Sequence, residues 1–223
     1  MVLTGVRLFA LLAALSLCVA ACARSPSSAP STGTTTSSAS VNPARIERVR
    51  TELPNGFEVA ALSARAAPVA FSGLGSAWAA DPPRCLALAD PVAAASTTRG
   101  WSASGAGGIV YAVVAGSAAT LDPSLLDECG QWTVSAGHTI GTVAFVAAPP
   151  IDGATTVGLS TATTTTVVEG GTETHSHADT FTAYLGDYIA FVTVVSDPGS
   201  PNPALGQDFA AELLVKTVSA LRG

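Results

Sequence analysis

The sequence predicts an α+β domain in which an antiparallel sheet of about five to seven strands carries a packed helix from each end of the chain and one disulfide. Two observations lead to this prediction. Short runs rich in valine, threonine and aromatic residues recur through the middle of the chain, separated by glycine-containing turns, which is the pattern of antiparallel strands. Amphipathic segments precede and follow these runs, and helices in those positions cover a face of the sheet.

The first predicted element is a helix that begins after Asn42. An asparagine side chain accepts a hydrogen bond from a first-turn amide, and Pro43 fits the first helical position. Ile46 and Val49 are spaced to form the buried side of this helix. The Pro-Asn-Gly sequence at 54–56 ends it.

The following segments are predicted from their propensities and turn residues. Phe57 to Leu62 is a predicted strand, whereas the glycines and prolines between Ala64 and Pro83 indicate a loop. Pro83 to Ala89 and Asp122 to Cys129 are predicted as short helices. Further strands are predicted over residues 101–104, 109–115, 131–135, 139–147 and 155–168.

A hairpin is predicted at Gly186-Asp187, a pair that favours a two-residue turn. In that register one face is apolar and pairs Leu185 with Tyr188, Ala183 with Ala190 and Phe181 with Val192. The other face, which includes Ile189 and Phe191, is mixed, so we expect another part of the chain to cover part of it.

The last predicted element is a helix that begins at Asn202-Pro203 and ends near Leu221. Its buried stripe consists of Phe209, Leu213, Val218 and Leu221. Glu212 and Lys216 lie one helical turn apart, so we expect them to form an exposed ion pair.

Residues 1–21 have the composition of a signal peptide, with the basic residue Arg7 before an apolar run that is short for a membrane span. The run ends in Val19-Ala20-Ala21-Cys22, which resembles a bacterial lipobox. We therefore predict cleavage before Cys22 and lipidation of that cysteine; more than one acyl chain gives stable anchoring. A signal peptide cut at another bond and an uncleaved anchor are the alternatives.

Residues 22–41 are predicted to be a disordered tether, because serine, threonine, alanine and proline dominate and no large apolar residue occurs before Val41. Residues 42–223 suit a single folded domain. This order predicts a domain at the outer face of the cell membrane, held there by the lipid on Cys22.

The charge of the chain argues against nucleic acid as a partner. Removal of Arg7 with the signal peptide leaves 9 of the 10 basic residues against 16 acidic ones, a formal net charge of −7. No basic patch is evident that would neutralise phosphates. The expected partners are the membrane, reached through the lipid, and a small-molecule, lipid or envelope-protein ligand, and no cofactor is predicted.

Cys85 and Cys129 are the two cysteines of the predicted domain. In an exported protein such a pair indicates one disulfide. A redox-active pair of thiols is the alternative, although the sequence lacks the Cys-x-x-Cys spacing typical of that chemistry.

Four polar residues alternate along one predicted strand and share one of its faces: Glu173, His175, His177 and Asp179. Imidazoles flanked by carboxylates bind Zn²⁺ or Cu²⁺, and His138 is the one further imidazole. A polar strand end explains the same pattern, and a pH-sensitive patch is a third interpretation. Because metal ligands usually converge from several elements, no metal site is predicted, and His175 and His177 stay its candidates.

Catalysis has little support in the sequence. No Gly-x-Ser-x-Gly elbow is present. Asp122, Asp127 and Glu128 would supply a carboxylate pair, but they fit helix-start and solvated positions equally well. We therefore predict that the domain is not an enzyme and name no catalytic residue.

Three segments carry a family resemblance: Val168-Glu169-Gly170-Gly171-Thr172-Glu173-Thr174, Ala183-Tyr184-Leu185-Gly186-Asp187-Tyr188 and Leu213-Leu214-Val215-Lys216-Thr217-Val218. With these segments the chain resembles a family of mycobacterial lipoproteins of unassigned function. More distantly, it is similar to the extracellular sensor domain of some mycobacterial Ser/Thr kinases, which has two disulfides and a cleft. The resemblance implies a non-enzymatic sensor-like or ligand-binding domain. A carrier or accessory factor for envelope lipids or glycolipids is the alternative.

Overall fold

An antiparallel sheet of nine strands forms the centre of the domain in the computed structural model, which describes residues 40–62, 67–167, 170–196 and 198–223. The strands are β1 Glu58–Ala61, β2 Ala79–Asp81, β3 Thr97–Gly105, β4 Gly108–Gly116, β5 Gln131–Ala136, β6 Thr139–Val146, β7 Thr155–Thr166, β8 Glu173–Tyr184 and β9 Tyr188–Ser196. Their order across the sheet is β1-β3-β4-β9-β8-β7-β6-β5-β2. The predicted signal peptide, Cys22 and nearly all of the predicted tether lie outside the described residues.

The prediction of about five to seven strands is wrong, because the described residues form nine. The segment predicted as a loop contains a 3-10 helix, Pro68–Ser72, and the short strand β2. β2 pairs with β5 through three residues only. A strand of three residues is too short to show an alternation of polar and apolar residues in the sequence. It forms because it pairs with the edge of β5.

The predicted hairpin is confirmed in its register. Phe181 faces Val192 and Ala183 faces Ala190, and these four side chains are buried in one apolar cluster. The mixed face is also covered as expected, since a second cluster contains Ile189 and Phe191 and packs against residues from elsewhere in the chain.

The remaining elements are helical. They are 3-10 helices over Pro43–Glu52 and Pro83–Cys85, and α-helices α1 Leu86–Ala89, α2 Ser124–Glu128 and α3 Gly206–Arg222. In the N-terminal 3-10 helix, the side chain of Asn42 accepts a hydrogen bond from the Ala44 amide at 3.1 Å, as predicted for a cap. Ile46 and Val49 are buried, because residues three apart align in this helix type. No helix in the described ranges is long and apolar enough to cross a membrane.

The predicted start of the last helix at Asn202-Pro203 is wrong, because α3 begins at Gly206. The Leu205 amide donates to the Gly107 carbonyl at 3.2 Å, and the Asn202 amide donates to the Ser200 hydroxyl at 3.2 Å. The first bond joins the segment to the turn between β3 and β4, and the second is a local turn before the helix, so residues 202–205 do not continue α3.

The predicted partner of Lys216 is also wrong. Its Nζ lies 2.8 Å from a carboxylate oxygen of Glu52, in the N-terminal 3-10 helix, while Glu212 is a weaker and more distant influence. The ion pair therefore joins α3 to the other helix on the same side of the sheet.

The two faces of the sheet are covered over different strands. The face that bears Phe181 and Val192, called here the helix face, packs against α3 and the N-terminal 3-10 helix. On that face the Trp101 indole donates to the Ile46 carbonyl at 3.1 Å. The opposite face, which bears Val134 and Leu159, is covered by parts of residues 67–95 and 121–129.

The predicted disulfide is present. Cys85 and Cys129 are bonded, with their Cα atoms 5.8 Å apart, and both residues are fully buried. The bond joins the end of the third 3-10 helix to the residue that follows α2. It therefore fastens together two short elements that cover the opposite face.

Among the residues that the structure describes, no helix packs over one part of the helix face. There the strands β5, β6 and β7 present small and hydroxyl-bearing side chains, and we call this region the open strip. Its exposed members are Gln131, Thr133, Ser135, Ile140, Thr142 and Ala162. Polar side chains dominate the open strip, so solvent covers it at little cost.

Candidate ligand-binding groove

A groove of about 390 Å³ lies where the open strip meets the start of β8. Thr142, Ala162 and His177 form one row across neighbouring strands, and Ile140, Thr164 and His175 form the next row. Pro198 closes the groove from the loop that follows β9. The sequence identifies His175 and His177 as candidate site residues. It does not identify the residues beside them, because the residues of β6 and β7 that face them depend on the strand register.

A second groove, of about 290 Å³, adjoins the first and shares His175 and Ser176 with it. Its wall includes the turn at Gly107 and Gly108 between β3 and β4, together with Asn202. The remaining lining is largely small and polar. Ligand atoms in one groove therefore lie close to the other.

His175 is held from β7. Its Nδ1 lies 3.2 Å from the hydroxyl oxygen of Thr164, the residue directly opposite it in the sheet. The side chain is exposed. This contact orients one edge of the imidazole ring and leaves the rest of it facing the groove.

His177 is held by a buried carboxylate. Its Nε2 lies 3.2 Å from Asp179 Oδ1, and the Asp179 side chain is only 7% exposed, whereas that of His177 is 38% exposed. The hydrogen bond to Asp179 raises the pKa of His177, burial opposes this change, and the negative charge of Asp179 adds to it. A buried carboxylate needs such a partner.

Ser160, His177 and Asp179 resemble a catalytic triad in composition but not in geometry. The Ser160 hydroxyl lies 3.4 Å from Nε2 of His177, the same nitrogen that contacts Asp179. A triad needs the carboxylate on one ring nitrogen and the serine on the other, so that the imidazole is oriented and accepts a proton at the same time. This arrangement does not activate the serine by that route.

Two of the other carboxylates that the sequence singles out, Asp122 and Glu128, make structural contacts. The Asp122 carboxylate accepts from the Ser124 amide at 2.9 Å and from its hydroxyl at 2.8 Å, and these bonds lower the pKa of Asp122. Glu128 is paired with Arg84. Because Arg84 and Glu128 are next to Cys85 and Cys129 in the chain, this pair flanks the disulfide.

His138, the third histidine, lies in the turn between β5 and β6 and does not line either groove. In the part of the chain that the structure describes, no three histidine, cysteine, aspartate or glutamate side chains are grouped to hold a metal ion. A preformed three-ligand cage of these residues is therefore not a feature of the described domain.

The fold and the groove define a class of protein: an α+β domain with a nine-stranded antiparallel sheet, counted over the described residues, and a groove on one of its faces. The chain belongs to a family described as a domain of unknown function, DUF5642, whose model matches residues 42–222. Among curated proteins, no match to the chain is found.

Solved structures from mycobacteria are similar to the chain. An uncharacterised protein of Mycobacterium smegmatis, the Rv0999 ortholog, is 20% identical, with a TM-score of 0.60 over 83% of this chain and 100% of that one. The extracellular domain of PknH from Mycobacterium tuberculosis is 14% identical, with a TM-score of 0.43 over 82% of this chain and 94% of that one. The first likeness shows a shared fold, and the resemblance to a lipoprotein family stays a prediction.

Proposed function

We propose that this protein is an exported lipoprotein, anchored through Cys22 at the outer face of the cell membrane, whose domain binds a ligand without transforming it. The observation that carries the proposal is the groove at the open strip. Hydroxyl and imidazole groups line it on a rigid sheet, and such groups orient a bound molecule by hydrogen bonds.

The geometry of the groove supports binding rather than catalysis. The triad-like set that includes the groove residue His177 places Ser160 and Asp179 on the same ring nitrogen, which does not make a proton relay. The role that fits these contacts is recognition, as in a sensor-like module.

Two features support the location. The lipobox-like Val19-Ala20-Ala21-Cys22 follows an apolar run, and the buried Cys85–Cys129 disulfide belongs to the chemistry of oxidising compartments. The lipid-carrier alternative calls for an apolar cavity, whereas the grooves described here are lined by a mixture of hydroxyl, imidazole and small apolar groups. These linings suit a ligand that carries both polar and apolar groups.

Palmitate labelling tests the anchor. Cells that express the full-length protein should incorporate radiolabelled palmitate into it, and Cys22→Ala should abolish the label because the acceptor thiol is lost. Cys18→Ala is the matched control, since Cys18 lies in the segment predicted to be removed. Equal labelling of the wild type and Cys22→Ala would refute the anchor.

Ligand retention tests the groove. Metal-free, full-length protein is incubated with an extract of the host envelope, and bound molecules are identified by native mass spectrometry. Ala162→Arg fills the exposed centre of the groove and should abolish retention, whereas Thr133→Arg, which is exposed on the same face but outside the groove lining, should not. A wild type that retains nothing beyond what Ala162→Arg retains contradicts the proposal.

A further inference from the structure

Two histidines of β8 project into one groove from alternate positions. His175 and His177 share the helix face and both line the groove at the open strip. Alternate residues of a strand have Cα atoms about 6.6 Å apart, at about 3.3 Å per residue. Histidine side chains on one face at this spacing are long enough for one ring nitrogen of each to reach a common ion.

Each imidazole uses one nitrogen inside the sheet. The Thr164 hydroxyl contacts Nδ1 of His175, and both Asp179 and Ser160 contact Nε2 of His177. Within the described residues, the contacts of these side chains leave Nε2 of His175 and Nδ1 of His177 for a ligand. One nitrogen of each ring is thus without a hydrogen-bond contact in the described residues, and it offers a lone pair in the tautomer that carries its N–H on the contacted nitrogen.

Asp179 adds the partner that metal-binding histidines usually have. A carboxylate that accepts the second ring N–H fixes the tautomer of the imidazole and makes its other nitrogen more basic. Asp179 is buried and lies 3.2 Å from His177, so it performs this task from beneath the groove. The sequence alone does not show this, because it does not say that Asp179 is buried or which nitrogen it contacts.

We propose that the groove binds one divalent copper ion through His175 and His177, with Asp179 as a positioning residue. Nitrogen and oxygen donors in a tetragonal arrangement suit Cu²⁺, which also binds such sites more tightly than the other divalent first-row ions. Water, or a hydroxyl group of the groove, completes the coordination. The inference rests on the proposed function, because the ion is bound in the same groove.

Copper titration tests the site in chelator-treated, full-length protein. Calorimetry should show one equivalent of bound Cu²⁺, and electron paramagnetic resonance should show coupling to two imidazole nitrogens. His175→Asn or His177→Asn should remove one nitrogen from that spectrum and weaken binding. Asp179→Asn should weaken binding about 10- to 100-fold while both nitrogens stay in the spectrum, a pattern that a merely structural role does not produce.

His138→Asn is the matched control, because it removes an imidazole outside both grooves, and its binding should equal that of the wild type. Circular dichroism checks that each variant is folded. Copper binding by the wild type that is no tighter than binding by the double variant His175→Asn/His177→Asn overturns the copper site. The ligand-retention experiment uses metal-free protein and is therefore independent of copper. If an organic ligand is retained there but copper does not bind, the proposed function is supported and only the copper site is refuted.

Discussion

Tyr184, at the end of β8, has a side chain whose ionisation is coupled to folding. Burial raises its pKa from 10.0 to about 12, because a phenolate loses hydration in the interior. Below pH 10 the phenol keeps its proton in both the folded and the unfolded chain, so the stability of the protein is fully present there. Above pH 10 the unfolded chain releases the proton first, and the free energy of unfolding then falls until the folded pKa is passed.

Tyr184→Phe should remove this dependence. The free energy of unfolding of the wild type should fall by about 2 kcal/mol more than that of the variant between about pH 9 and about pH 12. Urea unfolding at several pH values measures the difference. If the free energy of unfolding falls equally with pH in Tyr184→Phe and in the wild type, burial does not raise the pKa of Tyr184.

The residues of the groove show how far sequence reasoning reaches. Alternation along β8 correctly predicts that His175, His177 and Asp179 share a face, because it depends on one strand only. The contacts with Ser160 and Thr164 depend on the pairing of β7 with β8, and a shift of one residue would replace both partners. The low-complexity threonine run of β7 gives no signal for that register.

At the scale of elements, the Phe181 ring of β8 lies against Gly158 of β7, which has no side chain. A Cβ at position 158 would lie 2.7 Å from the Phe181 ring and 2.8 Å from the Val146 carbonyl oxygen. These distances are shorter than van der Waals contact, so the strands or the ring would have to move. The glycine therefore determines how Phe181 enters the core of the helix face.

Gly158→Ala should lower the free energy of unfolding by about 1–3 kcal/mol, the usual effect of overpacking. Gly130→Ala is the matched control, because a Cβ there meets nothing within 4 Å, and its effect should stay within about 0.5 kcal/mol. Chemical denaturation of the two variants gives the comparison. Equal stabilities would show that the sheet relaxes around the added methyl group.

The disulfide is the second constraint at this scale. Cys85 and Cys129 are 44 residues apart, and in the chain-entropy model a cross-link that closes such a loop stabilises a domain by about 4 kcal/mol. Cys85→Ala/Cys129→Ala should therefore lose about that much, measured by thermal or urea unfolding. A reducing agent should lower the midpoint of the wild type and leave that of the double variant unchanged. Alkylation of both thiols in the unreduced wild type would disprove the bond.

The elements that sequence reasoning places correctly are those with local signals. The hairpin has a turn pair and two alternating strands, and the N-terminal helix has an asparagine cap that the structure confirms. β2 and the start of α3 are missed because tertiary contacts decide them: β2 pairs with the edge of β5, and Leu205 is bonded to Gly107. Neither of these contacts can be predicted from the residues of the segment alone.

At the scale of the whole domain, the two covered regions lie on opposite faces of one sheet. Phe181 and Val192 belong to the cluster under α3, while Ile189 and Phe191 belong to a cluster on the opposite face. The strands β8 and β9 therefore contribute to both cores. Loss of either core removes support from the strands that the other core needs, so we expect the domain to unfold in one cooperative transition.

Leu213→Ala tests this coupling, because Leu213 of α3 is 1% exposed in the cluster of the helix face. The change should lower the free energy of unfolding by about 2–5 kcal/mol. Val215→Ala, on the same helix but 40% exposed, should change it by about 0.5 kcal/mol at most. Far-UV circular dichroism and tryptophan fluorescence should give one common midpoint, since Trp101 lies on the helix face and Trp78 and Trp132 lie on the opposite face. A fluorescence change that splits into two steps, with the first coinciding with an earlier loss of the helical signal, would show two independently stable halves.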